Sequence, residues 1–280
     1  MRAERRPRSF YVLATVFVLF VLFLYGPLSA IVVLSFQGPD GGLTFPMNGV
    51  STVWFGALFE QQRVGDFKGS FLRSFELGLA VMLVTMVVSF LAGLAFRRRF
   101  LGSGFVFYLA VASLIVPSIL VSLGIGLLFR VLDLEPSWWS SGFGAHLTWT
   151  LPFGLLIMFA VFNRFNPSYE EAARDLGASG WQTVRHVVLP IVLPSLVGVG
   201  LFGFTLSYDE FARTVMAVGT ENTLPLEIFG MTTNVTTPTL YALGSLTTGF
   251  SFTVIALAAV TASLLRRRQM RRGSDAGRGV

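Results

Sequence analysis

Six stretches of this chain run for roughly 17 to 30 residues without a single Asp, Glu, Lys or Arg. They lie within Phe10 to Phe36, Leu77 to Phe96, Phe100 to Phe129, Leu147 to Asn163, Val187 to Tyr208 and Tyr241 to Leu265. A helix rises 1.5 Å per residue, so roughly 20 apolar residues cross a ~30 Å hydrocarbon core, and a helix satisfies its own backbone hydrogen bonds there. The runs therefore predict an all-α membrane protein with six transmembrane helices. The fourth run, at 17 residues, reaches the needed length only if His146 and its neighbours are included.

The composition agrees, with 53% hydrophobic and 13% charged residues where a soluble domain carries about 25% charge. The first run follows Arg2, Arg5, Arg6 and Arg8 and resembles the start of a secretory signal peptide. A signal h-region is only about 7 to 15 residues long, whereas this run continues uncharged through Gly26 and Pro27 to Phe36, so it is read as an uncleaved span.

Basic residues stay with short cytoplasmic loops, which sets the orientation. With both termini in the cytoplasm, the inner side holds the four arginines before Phe10, Arg97 to Arg99, Arg164, Arg174, Arg185 and the six arginines after Leu265. Only Arg63, Lys68, Arg73, Arg130 and Arg213 fall outside, facing ten acidic residues. The overall charge of +6 then reflects topology, and a nucleic-acid partner is not expected. Residues 1–9 read as a basic cytoplasmic N-terminus, 10–265 as the six-span domain and 266–280 as a basic cytoplasmic tail without fixed structure.

Several chemistries are excluded or disfavoured. There is no cysteine, hence no disulfide or Cys-based metal site, and His146 and His186 fall on opposite membrane faces without nearby partners. No metal site and no catalytic residue is expected. Lys68, the only lysine, follows Phe67, so no Gly-Lys-Ser/Thr phosphate loop exists and the chain does not hydrolyse ATP through one. The span centres carry no ionisable side chain, which disfavours ion-coupled transport. An energy source has to come from a second protein.

One polar segment, Ser168 to Ser195, interrupts the apolar runs and reads as two short helices. Ser168 with Glu171 and Ser179 with Gln182 have capping-box spacing, and Gly177 stands where the first helix should stop. Arg174, Asp175 and Arg185 are too polar for lipid, while Ala172, Ala173 and Leu176 form a small apolar face suited to a groove on another protein. Pro190 and Pro194 make the start of the following helix kinkable.

Glu171-Ala172-Ala173, then Gly177, then nine residues to Val187-x-Leu189-Pro190 resembles the EAA loop of ABC importer permeases. That pattern is Glu-Ala-Ala, three residues, Gly, nine residues, Ile-x-Leu-Pro, and only the Ile is changed here. Ser207-Tyr208-Asp209-Glu210 with Leu224-Pro225-Leu226-Glu227-Ile228 and Pro238 further resembles spermidine/putrescine-type permeases. The resemblance implies a type I ABC importer permease fold in which the EAA segment, 168–190, is a coupling helix seated in a cleft of the ATPase. Glu170, Glu171, Ala172, Ala173, Asp175, Gly177, Leu189 and Pro190 are then the coupling residues.

The implied partners are a second, related permease subunit, two copies of a cytoplasmic ABC ATPase and an extracytoplasmic solute-binding protein, around a bacterial inner membrane. The chain itself binds no cofactor, and ATP and Mg belong to the ATPase. The acidic positions of polyamine-type relatives carry over to Asp209 and Glu210, with Ser207 and Tyr208 beside them. Trp54 could stack on a cation. Ser118, after Pro117, stands where such permeases tend to carry an acid, a departure that bears on substrate choice. Ferric iron or another small solute is the alternative cargo, and an ATP-independent channel or a membrane anchor the alternative class.

Overall fold

The computed structural model describes residues 7–60, 65–98, 100–234 and 237–276. The described residues are helices and loops, with one isolated bridge between Gln37 and Val50. Among the described residues the α-helices are, in order, α1 Arg8–Leu34, α2 Val53–Ala57, α3 Phe67–Phe96, α4 Ser103–Ala112, α5 Ser118–Val131, α6 Phe143–Asn163, α7 Ser168–Asp175, α8 Gly180–Thr183, α9 Leu189–Tyr208, α10 Leu224–Asn234 and α11 Thr239–Ala276. Two π-helical turns, Trp138–Gly142 and Val184–Val188, lead into α6 and α9.

Among the described residues, five helical stretches are long and apolar enough to cross a membrane: Arg8–Leu34, Phe67–Phe96, Trp138–Asn163, Gly180–Tyr208 and Thr239–Thr261. The fourth uncharged run thus gains its length from residues before Leu147, His146 among them. The third run departs from expectation, because it is interrupted, with α4 of 10 residues and α5 of 14 residues on either side of Ser113 to Pro117. At 1.5 Å per residue these are about 15 and 21 Å long, each too short to span alone. Proline at 117 has no N–H to give and pushes Val116 away from helical geometry, so an uncharged run does not become a continuous helix. The break is tied down by Ser113, whose hydroxyl lies 2.7 Å from the Ala110 carbonyl and 2.8 Å from the Thr148 carbonyl of α6.

The chain divides into two compact units. The first comprises the chain up to Phe67 with Ile228–Phe250, and the second Lys68–Glu227 with the chain from Ser251. In the first, α1 buries only Leu34, so its apolar surface is of the kind a helix presents to lipid. Gln37, fully buried, organises the loop that follows. Its side chain donates to the Gly42 carbonyl at 3.2 Å and accepts the Asn48 N–H at 2.7 Å. The Tyr241 hydroxyl of α11 closes on the Leu43 carbonyl at 2.6 Å.

In the second unit α3, α6 and α9 approach closely because glycines stand where the helices meet. Gly78 lies against Phe204, Gly93 against Phe162 and Gly154 against Ser89. Without a hydrophobic drive between helices in lipid, such close backbone approach and interhelical hydrogen bonds hold a bundle together. One such bond joins Thr85 of α3 to Thr150 of α6 at 3.1 Å. Met158, Phe162, Val188, Val192, Leu196 and Val199 form the core, with Phe90 and Phe165 packed on it. The backbone of α11 runs as helix to Ala276, where the sequence suggested a tail without fixed structure; Arg, Gln and Met are good helix formers and simply extend it. The expected N-terminal segment falls largely on residues 1–6, outside the described residues.

Candidate functional site

The loop between α6 and α9 holds α7 and α8. The first helix does not use the capping box expected from Ser168 and Glu171. Ser168 donates its N–H to the Asn166 side chain at 3.1 Å, with Pro167 already helical. Asn166 thus captures the cap two residues earlier, and a proline at the first helical position has a ready-made φ and no N–H to lose. The helix ends as the sequence predicts. Gly177 has φ +84, its N–H reaches Arg174 O at 2.8 Å, and Ala178 N–H reaches Ala173 O at 3.0 Å, the Schellman pair. The second capping box forms in full: Gln182 N–H to Ser179 Oγ at 3.3 Å, and Ser179 N–H to Gln182 Oε1 at 2.7 Å.

These two caps fix a short rigid element whose apolar face is uncovered. Leu176 is 90% exposed, Ala172 is exposed and Ala173 half-buried, with Tyr169 and Trp181 also exposed. Glu171 and Asp175 point into the open. Glu170 differs, since it forms an ion pair with Arg97 at the end of α3 and a weaker one with Arg174 at 3.6 Å. The Arg97 guanidinium lies over the rings of Phe162 and Phe165, at 5.3 and 5.1 Å from their centroids. Sequence reading missed Arg97 as a partner, although a basic end of α3 was its signal. Leu189 packs on the core and Pro190 follows the widened π turn, which makes room for a ring that an α-turn would crowd.

A second polar site gathers where α9 ends. His146 of α6 is 1% exposed, with Nδ1 2.7 Å from Ser207 Oγ and Nε2 2.9 Å from Thr214 Oγ1. The Thr214 hydroxyl donates to the Glu210 carbonyl at 2.5 Å, so its lone pairs receive the imidazole Nε2–H. His146 is a satisfied core histidine.

Asp209 and Glu210, neighbours in sequence, part company. Asp209 keeps an exposed side chain, yet the apolar helix end around it desolvates its carboxyl enough to raise its pKa above the ordinary value. Glu210 is 7% exposed, accepts the Arg213 N–H at 2.8 Å and lies 3.7 Å from the guanidinium. Arg213, 2% exposed, donates to Ser118 Oγ at 2.7 Å and Thr148 Oγ1 at 3.3 Å and rests 4.5 Å over Trp149. The structure thus brings Ser118 and Glu210 together through Arg213, a residue that sequence reading counted only as a surface charge. The i, i+3 spacing of Glu210 and Arg213 was the available clue. Tyr208 is buried, stacked on Phe204 and edge-on to Phe71. Trp54, in the first unit, gives its indole N–H to Gln37 O at 2.8 Å.

Residues 85–270 match the family of binding-protein-dependent transport system inner membrane components. The chain belongs to that family. It is therefore a multi-pass membrane permease component, with no catalytic role of its own. It is 28% identical to the spermidine/putrescine transport system permease protein PotC of Escherichia coli (strain K12), over 90% of this chain and 92% of the relative. It is 30% identical to the protein of that name from Haemophilus influenzae, over 84% and 90%. Among solved structures it shares its fold with a bacterial ABC transporter involved in the import of the acidic polysaccharide alginate. The TM-score is 0.61 at 16% identity, covering 96% of this chain and 99% of the other.

Proposed function

We propose that this chain is the membrane-spanning permease subunit of an ATP-driven importer for a polyamine of the spermidine/putrescine kind. It pairs with a second, related permease subunit. Two copies of an ABC ATPase bind on the cytoplasmic side, where both termini lie, and an extracytoplasmic binding protein delivers the cargo. ATP and Mg act at the ATPase. The observation that carries the driven mechanism is α7, a capped helix that leaves Leu176 uncovered while Glu170 fastens it to α3. A rigid element gripped on one side and bare on the other can pass ATPase closure to α3 and α9 as a body movement. The polyamine assignment is supported by the relatives that match nearly the whole chain.

Because the chain has no native cysteine, the docking can be read by crosslinking. Single cysteines at Ala172 or Leu176 should crosslink to the co-expressed ATPase, with a yield that changes between nucleotide-free and ATP-bound states. Gly177 is a poor choice, because its positive φ would strain any side chain. Absence of a crosslink from both positions contradicts the docking.

A further inference from the structure

Where α9 gives way to the loop before α10, one buried cation cancels one of the carboxylates. Glu210 and Arg213 are both buried and lie 3.7 Å apart, and the Glu210 carboxylate also accepts the Arg213 backbone N–H at 2.8 Å. The guanidinium is boxed by Ser118 of α5, by Thr148 of α6 and by the face of Trp149. Two helices, α5 and α6, therefore hold Arg213 in one place beside Glu210, and a guanidinium cannot lose its charge there. The same loop keeps two other acids outside this box: Asp209, exposed, and Glu221, also exposed, which accepts the Trp138 indole N–H at 3.0 Å.

We propose that Arg213 is a specificity-determining residue that removes one unit of negative charge from this junction and so sets how strongly passage depends on substrate charge. The inference rests on the polyamine reading. A junction that is more negative by one unit favours entry of spermidine, with three ammonium groups, over putrescine, with two. Arg213 holds that preference down. Its action is through Glu210 and the field, since its own side chain is enclosed.

The test uses the complete complex in proteoliposomes, with saturating binding protein loaded with either amine, so that the ratio of initial uptake rates reports the membrane step. Glu210→Gln leaves the Arg213 charge unopposed and should lower the spermidine-to-putrescine rate ratio about three- to tenfold, the size expected of one unit charge several ångströms from one extra ammonium group at a partly screened site. Asp209→Asn, on an exposed side chain outside the box, should lower it similarly without risk to folding. Glu210→Gln combined with Arg213→Gln restores the original net charge and should return the ratio to its wild-type value, whatever happens to the absolute rates. A purely structural pair gives the opposite pattern, with the double variant no closer to wild type than the single one. That result, or a ratio indifferent to all three variants while wild type takes up both amines, overturns the inference alone. A wild-type complex that imports neither amine overturns the polyamine reading and this inference with it.

Discussion

Leu176→Asp is expected to abolish ATPase docking on this chain, and with it ATP-driven uptake, while the membrane-embedded helices remain folded. Leu176 is almost fully exposed, so its replacement costs the isolated fold little. In a docked complex the same side chain is the most exposed large apolar group of a face it shares with Tyr169, Ala172 and Ala173. Burying a leucine is worth about 1.5–3 kcal/mol. An unpaired carboxylate in its place adds a penalty of several kcal/mol more. Together these weaken docking by about a thousandfold or more, at about 1.4 kcal/mol per factor of ten. The check is a cysteine at Ala172 in both backgrounds: the ATPase crosslink should vanish with Asp at 176 while the permease keeps its yield and thermal stability in detergent. A retained crosslink would mean that α7 is not the docking element.

The second large effect belongs to the ion pair between Arg97 and Glu170. If that pair grips α7, Arg97→Ala should leave the ATPase bound yet cut uptake about tenfold or more. Hydrogen bonds to charged groups are worth about 1.5–3 kcal/mol, enough to hold a mobile element in one position most of the time. Arg97 also gives up its seat over Phe162 and Phe165, so Glu170→Ala should be the milder change, Arg174 losing only a loose partner. The double variant should transport no worse than Arg97→Ala alone, because both changes remove one interaction. Additive losses, or full uptake with ATPase turnover unchanged, would show that coupling runs by another route.

What could be read from the sequence was mostly local. Gly177 and the Ser179–Gln182 box sit within a few residues of the backbone groups they satisfy, and both form as their spacing predicts. The box at Ser168 failed for an equally local reason, that Asn166 and Pro167 start the helix first. Counting uncharged residues located the spans but overlooked Pro117, so the third run was expected whole and is in two pieces. The rest depended on long-range partners. Arg213 meets Ser118 across 95 positions, and Arg97 meets Glu170 across 73, distances over which no periodicity or spacing speaks. Gln37 and His146 were similarly opaque, because a buried polar side chain is defined by what the fold brings to it. The same limit explains why Asp209 and Glu210 looked like an equivalent pair in sequence, whereas in the structure one is open and the other already neutralised.

Uptake by purified components tests the proposed function most directly. The permease pair, reconstituted with the ATPase inside the vesicles and the binding protein outside, should accumulate labelled putrescine or spermidine only when ATP is enclosed and the ATPase is present. Accumulation that persists without ATP or without the ATPase would contradict a driven importer and point to a channel.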